Sequence, residues 1–129
     1  MSTVLDKVDE LEPDVVAAGI GVARGLVGVK LLLAPRLTWR VLAGYAPEGS
    51  TSAIRMLGAR ELVLASGILT ADDDNELGRW ITAAAFSDAA DGVAHLITKT
   101  GKGKGRVLNI LLAAVFAALG FRIAQRLAD

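Results

Sequence analysis

Within the run RWITAAAFSDAADGVAHLIT, Arg79 to Thr98, three side chains could move protons: Asp88, Asp91 and His95. Each residue turns an α-helix by about 100°, so positions 88, 91 and 95 lie within about 60° of one another. Two carboxyls and an imidazole on one stripe could form a general acid/base pair or a proton relay. The same stripe could instead supply counter-ions that fix how one helix packs on another. A lone histidine is more often a hydrogen-bonding residue than a catalyst. Asp88, Asp91 and His95 are therefore candidate catalytic residues, with the structural reading open beside the chemical one.

Composition removes much other chemistry. The chain has no cysteine and a single histidine, so thiolate–zinc, iron–sulfur, disulfide and multi-histidine sites are excluded, and no metal is expected. A formal net charge of +0 gives no reason to expect nucleic acid. GKGKG at 101–105 lacks the spacing of a phosphate loop and follows a helix instead of a strand. DDDNE at 72–76 lacks the glycine and distal glutamate of a calcium loop and reads as a helix cap.

The elements that must position the stripe follow from hydropathy. With 53% hydrophobic residues and a mean hydropathy of +0.47, the 129-residue chain is more apolar than a typical soluble domain and forms one domain at most. Four apolar stretches stand out: Val15–Leu33, Ala53–Thr70, Arg79–Thr98 and Val107–Ile123. Each is near the roughly 17–25 residues that a membrane helix needs. Residues 1–14 form an acidic tail without the basic start and apolar core of a signal peptide. Residues 15–129 form the membrane domain.

The predicted fold is all-α, a four-helix transmembrane bundle with an interfacial segment between the first two helices. That segment, PRLTWRVLAGYAPEGSTS, mixes Arg36 and Arg40 with Trp39 and Tyr45, which suits the headgroup level. In the first stretch Gly21, Arg24, Gly25 and Gly28 share a face; in the second, Ile54, Gly58, Glu61 and Ala65 do. Small residues let helix backbones approach closely, so these two faces are expected to pack on each other.

Charge then sets depth and orientation. The stretches centre near Arg24, Glu61 and Ala89, so Arg24, Arg60, Glu61, Asp88 and Asp91 fall at one level, the bilayer midplane. An unpaired charge there costs from about 3 to over 10 kcal/mol, which predicts one buried polar cluster. The connection ADDDNELG is acidic and KTGKGKGR basic, so the positive-inside rule places the termini outside and both basic loops in the cytoplasm. Arg122 and Arg126 oppose this orientation. Lys99, Lys102, Lys104 and Arg106 are expected to contact lipid headgroups.

RGLVGVKLLLAP, RMLGARELVLASGIL and SDAADGVAHL together resemble the DoxX-like group of small four-helix bacterial membrane proteins and their uncharacterised relatives. The resemblance implies a multi-pass inner-membrane protein near a redox system, as a quinone-proximal or accessory subunit. It carries over no catalytic residue. The expected role is an accessory or interaction subunit of a membrane complex, with lipids and other membrane subunits or a second copy as partners. The alternatives are a membrane-embedded enzyme using Asp/His chemistry on a lipophilic substrate, and a soluble helical bundle. The cofactor is left unknown, a quinone or another lipophilic molecule being compatible.

Overall fold

A computed structural model describes residues 3–44, 51–98 and 104–129. Among these residues the chain is all-α, with six helices and no strand. The first, α1 (Val4–Asp9), is fixed by a capping box: the Asp6 backbone N–H donates to Thr3 Oγ1 at 3.2 Å, and the Thr3 N–H donates to the Asp6 carboxylate at 2.6 Å. The bonds from Thr3, the backbone one foremost, hold the Asp6 carboxyl below its usual range. The acidic tail thus contains a helix.

Helix α2 (Pro13–Leu33) starts with proline at its first turn, where the missing N–H is no loss. Pro35 ends α2 and opens α3 (Pro35–Ala43), which stops at Gly44 in the left-handed region, φ 77°. The expected interfacial segment is therefore helical in its first half; Tyr45 lies outside the described residues. Helix α4 is Thr51–Thr70 and α5 is Asp74–Ile97. Asp73 caps α5 by accepting from the Glu76 N–H at 2.7 Å, while Glu76 accepts from the Asp72 N–H at 3.1 Å. DDDNE is indeed a cap. It starts α5 before Arg79, and α6 (Lys104–Ala128) runs past the expected end at Ile123.

All four apolar stretches are helical, but only α2 and α6 are long and apolar enough, by length and composition, to cross a membrane. Helix α4 is interrupted by Arg55, Arg60 and Glu61, and α5 by an acidic first turn and by Asp88 and Asp91. Of the four expected spans, length and composition thus single out two as candidate membrane helices.

The long helices pack as two close antiparallel pairs, α2 with α4 and α5 with α6, joined by lighter contacts between the pairs. The α2/α4 crossing is where the glycine faces meet. A Cβ placed on Gly28 would lie 2.8 Å from the Gly58 carbonyl oxygen, and one on Gly58 would lie 2.9 Å from that of Gly28. Gly25 faces Ala65 at 3.6 Å in the same sense. In the second pair Gly120 seats on Ala85, and Phe86 meets Phe121 edge-to-face with ring centroids 5.1 Å apart. Between the pairs, the Trp80 indole occupies the space beside Gly67 that a side chain would need.

These contacts set three levels along the bundle. The apolar core, with Ala17, Ile68, Leu77, Ile81 and Ile123, sits at the end nearest α1. There Arg122 donates from Nε to Asp9 Oδ1 at 2.9 Å and pairs with the other Asp9 oxygen through Nη2. Arg126 donates to the carbonyls of Val8, Asp9 and Leu11 at 3.3, 3.2 and 2.9 Å. The two cations that oppose the expected orientation thus strap α1 to α6. Midway lie the charged residues. Beyond them, under α3, the bundle is open inside.

Candidate functional site

The glycine stripe that brings α2 against α4 also carries the charges. Arg24 lies one turn from both Gly21 and Gly28, and Glu61 one turn from Gly58, so close backbones bring the two side chains together. Arg24 Nη1 donates to Glu61 Oε2 at 2.6 Å. Its Nη2 reaches across to α5, pairing with Asp88 Oδ2 and touching the Ala84 carbonyl at 3.5 Å. Arg60 donates from Nη2 to the other Glu61 oxygen at 2.9 Å and grips Asp91 as a fork, with Nη1 and Nη2 at 2.9 and 2.6 Å from its two oxygens. The result is a continuous chain, Asp88–Arg24–Glu61–Arg60–Asp91, with Glu61 shared between the arginines.

Burial grades along this chain. Arg24 and Glu61 are 8% and 7% exposed as whole residues. The Arg60 and Asp91 side chains are 34% and 38% exposed, on the edge of the open interior. Arg24 Nε is buried with no hydrogen-bond partner among the described residues. A desolvated ion pair contributes little net stability against an apolar replacement, but breaking it strands a charge.

Asp88, Asp91 and His95 do share a face of α5, yet they are not bonded to one another. Each aspartate is engaged by its own arginine, on α2 and on α4 respectively. His95 stands apart; the hydrogen bond recorded for it uses its backbone carbonyl, which accepts from Arg106 Nε at 2.9 Å. Groups held this way can fix helices in register. A proton relay through them would require an aspartate to leave its guanidinium.

The open interior is a cavity of about 210 Å³. Its polar wall is formed by Arg60, Glu61, Asp88 and Asp91 of the ion-pair layer together with His95 and Asn109; Trp39, Leu42 and Ala43 of α3 cover it, and Leu112 and Phe116 of α6 flank it. A second, apolar cleft of about 150 Å³, bounded by Ile20, Ala23 and Val27, adjoins it and shares Val27, Glu61, Asp88 and Phe116. Sequence reasoning missed the cavity because it forms only when α3 folds back over the bundle. Asn109 gave one readable signal: it is the only amide within the apolar run VLNILLAAVFAALGF.

Of the residues expected at lipid headgroups, Lys99 and Lys102 lie outside the described residues, as does the Lys104 side chain. Arg106 is directed inward to the molecule itself, donating to the carbonyls of His95 and Leu96 at 2.9 and 2.8 Å and so capping the end of α5. Gly105 sits so close to the Ala43 carbonyl that a side chain there would collide with α3. Among the described residues no group of three or more His, Cys, Asp or Glu could hold a metal ion. No known protein family, characterised protein or solved structure matches the chain.

Proposed function

We propose that this chain is a small multi-pass protein of the bacterial inner membrane, with α2, α4, α5 and α6 crossing the bilayer, and that it serves as an accessory or interaction subunit of a membrane complex. The observation that carries this reading is an inverted distribution of polarity. Arg24 is 8% exposed, whereas Leu26 on the same helix is 59% exposed. Glu61 is buried while Val63 is not, and on α5 Asp88 turns inward while Phe86 is 63% exposed. Helix α6 leaves Leu108, Leu111, Leu112, Val115 and Phe116 uncovered. Water would penalise so continuous an apolar exterior, whereas hydrocarbon favours it and requires charges to pair inside. Inward pairing also supports bilayer crossing by α4 and α5, whose composition alone falls short.

The accessory role rests on the engagement of every carboxylate in the layer by arginine, which suits a scaffold better than a reaction centre. The DoxX-like resemblance of α2, α4 and α5 favours a redox-linked complex as its setting. Termini outside and basic connections in the cytoplasm follow from the charge asymmetry of the loops.

Because the chain has no cysteine, single-cysteine labelling gives a direct test. In intact cells a cysteine at Asp73 should react with an impermeant thiol reagent and one at Lys102 should not. The opposite pattern inverts the orientation. Labelling at both, or release of the chain by a carbonate wash, overturns the four-span reading. Native purification in lipid discs should then co-purify another membrane protein. The Asp88→Asn/Asp91→Asn variant should retain that partner in proportion to its folded amount, and loss of partner from fully folded variant would contradict the scaffold role.

A further inference from the structure

We propose that the cavity beneath α3 binds one uncharged amphiphile, its carbonyl- or hydroxyl-bearing head held by His95 and Asn109 and its tail lying in the adjoining apolar cleft. This inference rests on the membrane reading above.

Three observations converge on it. The first is unused hydrogen-bonding capacity. His95 on α5 and Asn109 on α6 line the same cavity, and among the described residues neither side chain has a hydrogen-bond partner. Both are partly buried. A neutral imidazole offers one donor and one acceptor, and a carboxamide offers both kinds. Two such groups facing one space, beside a charged layer whose arginines and carboxylates are paired with one another, fit a head that can donate and accept.

The second observation is shape. An apolar cavity of about 150 Å³ accepts a benzene-sized molecule. At about 210 Å³ the polar cavity has room for a substituted six-membered ring or a glycerol-sized head. The adjoining cleft of about 150 Å³ is apolar apart from the ion-pair layer that forms its floor. The two recesses share Val27, Phe116 and the paired Glu61 and Asp88, so a space with polar groups along one wall continues into an apolar one, as in an amphiphile.

The third is charge. Asp88, Glu61 and Asp91 each already accept from a guanidinium, and Arg24 and Arg60 each already hold two carboxylates. An anionic head would face three carboxylates against two guanidiniums that each already hold two carboxylates, and a cationic head would compete with those guanidiniums. A neutral head can bond to His95 and Asn109 without displacing either arginine. Trp39 and Phe116 add aromatic walls against which a planar head can pack.

Two sources share this chemistry: a lipid-soluble ring carbonyl compound and a neutral glyceride of the membrane. The test uses the full chain in lipid discs with Trp80→Phe, leaving Trp39 as the only tryptophan, since the chain has two. Four probes of similar tail are titrated: decylbenzoquinone, dioctanoylglycerol, decyltrimethylammonium and decyl sulfate. The expected result is a saturable change in Trp39 emission with one of the two neutral probes, and that probe identifies the source. His95→Phe and Asn109→Leu should each weaken it about three- to tenfold, the effect of one lost hydrogen bond. Leu112→Phe, which narrows the cavity from α6 without adding a tryptophan, should do the same by occlusion and covers the case where a polar-site variant fails to fold. Arg40→Ala, on the exposed side of α3, should leave binding unchanged. Tighter binding of either charged probe, no saturable response, or undiminished binding by the folded His95→Phe/Asn109→Leu variant would overturn the proposal. A chain that withstands carbonate washing yet binds no probe defeats only this inference; a chain that washes off defeats the membrane reading itself.

Discussion

Arg24→Ala should lower stability by about 3–5 kcal/mol, the usual result of leaving a buried charge without its partner. Arg24 joins three helices: Nη1 reaches Glu61 on α4 and Nη2 reaches Asp88 on α5. Without it Asp88 loses the arginine that faces it, whereas Glu61 keeps Arg60. Arg60→Ala should cost less, because the Arg60 side chain is 34% exposed and that of its partner Asp91 is 38% exposed. Arg40→Ala, on an exposed position of α3, should fall within about 0.5 kcal/mol of the parent. The decisive variant is the triple replacement Arg24→Met/Glu61→Leu/Asp88→Leu. It removes one cation and two carboxylates, leaving Arg60 and Asp91 as a matched pair, and should recover most of the loss. Chemical unfolding in lipid discs measures all of these. Should Arg24→Ala behave like Arg40→Ala, the layer does not hold the helices. If the triple variant were as unstable as Arg24→Ala, the side chains would matter for their shape more than their charge.

The sequence made this layer legible for a specific reason. Small residues along one face of α2 (Gly21, Gly25, Gly28) and one face of α4 (Gly58, Ala65) identify the contact surface, and Arg24 and Glu61 lie on those same faces. Helical periodicity therefore specified the partner helix, and the matched depth placed Arg24 and Glu61 in one cluster. Arg60 and Asp91 sit at the same level on neighbouring faces, so their contact followed from depth alone. The path of the chain between helices has no such period. The fold-back of α3 depends on Pro35 breaking the helix, on Gly44 ending the next one, and on Gly105 permitting Ala43 to approach, three local events with no common period. The cavity follows from that fold-back and was hidden with it.

Charge counting misled in a similar way. Arg106, Arg122 and Arg126 look like residues meant for headgroups or for setting topology. In the folded chain they satisfy carbonyls left open at the ends of α5 and α1, together with the Asp9 carboxylate. An unsatisfied helix C-terminus offers a guanidinium several open carbonyls, and a sequence does not say which terminus will lie nearby. Asp73 was readable where these were not, because an N-cap acts within its own turn.

Gly28→Ala should destabilise the fold by about 1–3 kcal/mol, the range for overpacking a filled contact. The new methyl would lie 2.8 Å from the Gly58 carbonyl oxygen and 2.9 Å from Leu62 Cγ. A leucine can rotate away, but a helix carbonyl cannot, so α2 and α4 must move apart. Gly58→Ala meets the reciprocal obstruction, the Gly28 carbonyl at 2.9 Å, and should cost a similar amount. The two losses should not add, because separation forced by the first methyl makes room for the second. Gly19→Ala supplies the control: nothing lies within 4 Å of the added methyl, and alanine's better helix propensity should leave stability unchanged or raise it by up to about 1 kcal/mol. The consequence for the charged layer is the sharper test. Arg24 is one turn from Gly28 and Glu61 one turn from Gly58, so widening the crossing lengthens the 2.6 Å bond between them. The Arg24–Glu61 coupling, measured by a double-mutant cycle with Arg24→Met and Glu61→Gln, should therefore be smaller in the Gly28→Ala background than in the parent. An unchanged coupling alongside lowered stability would mean that the glycines and the ion pairs hold the helices independently. A reduced one means that the absence of two side chains at the crossing is what sets the geometry of the charges beside it.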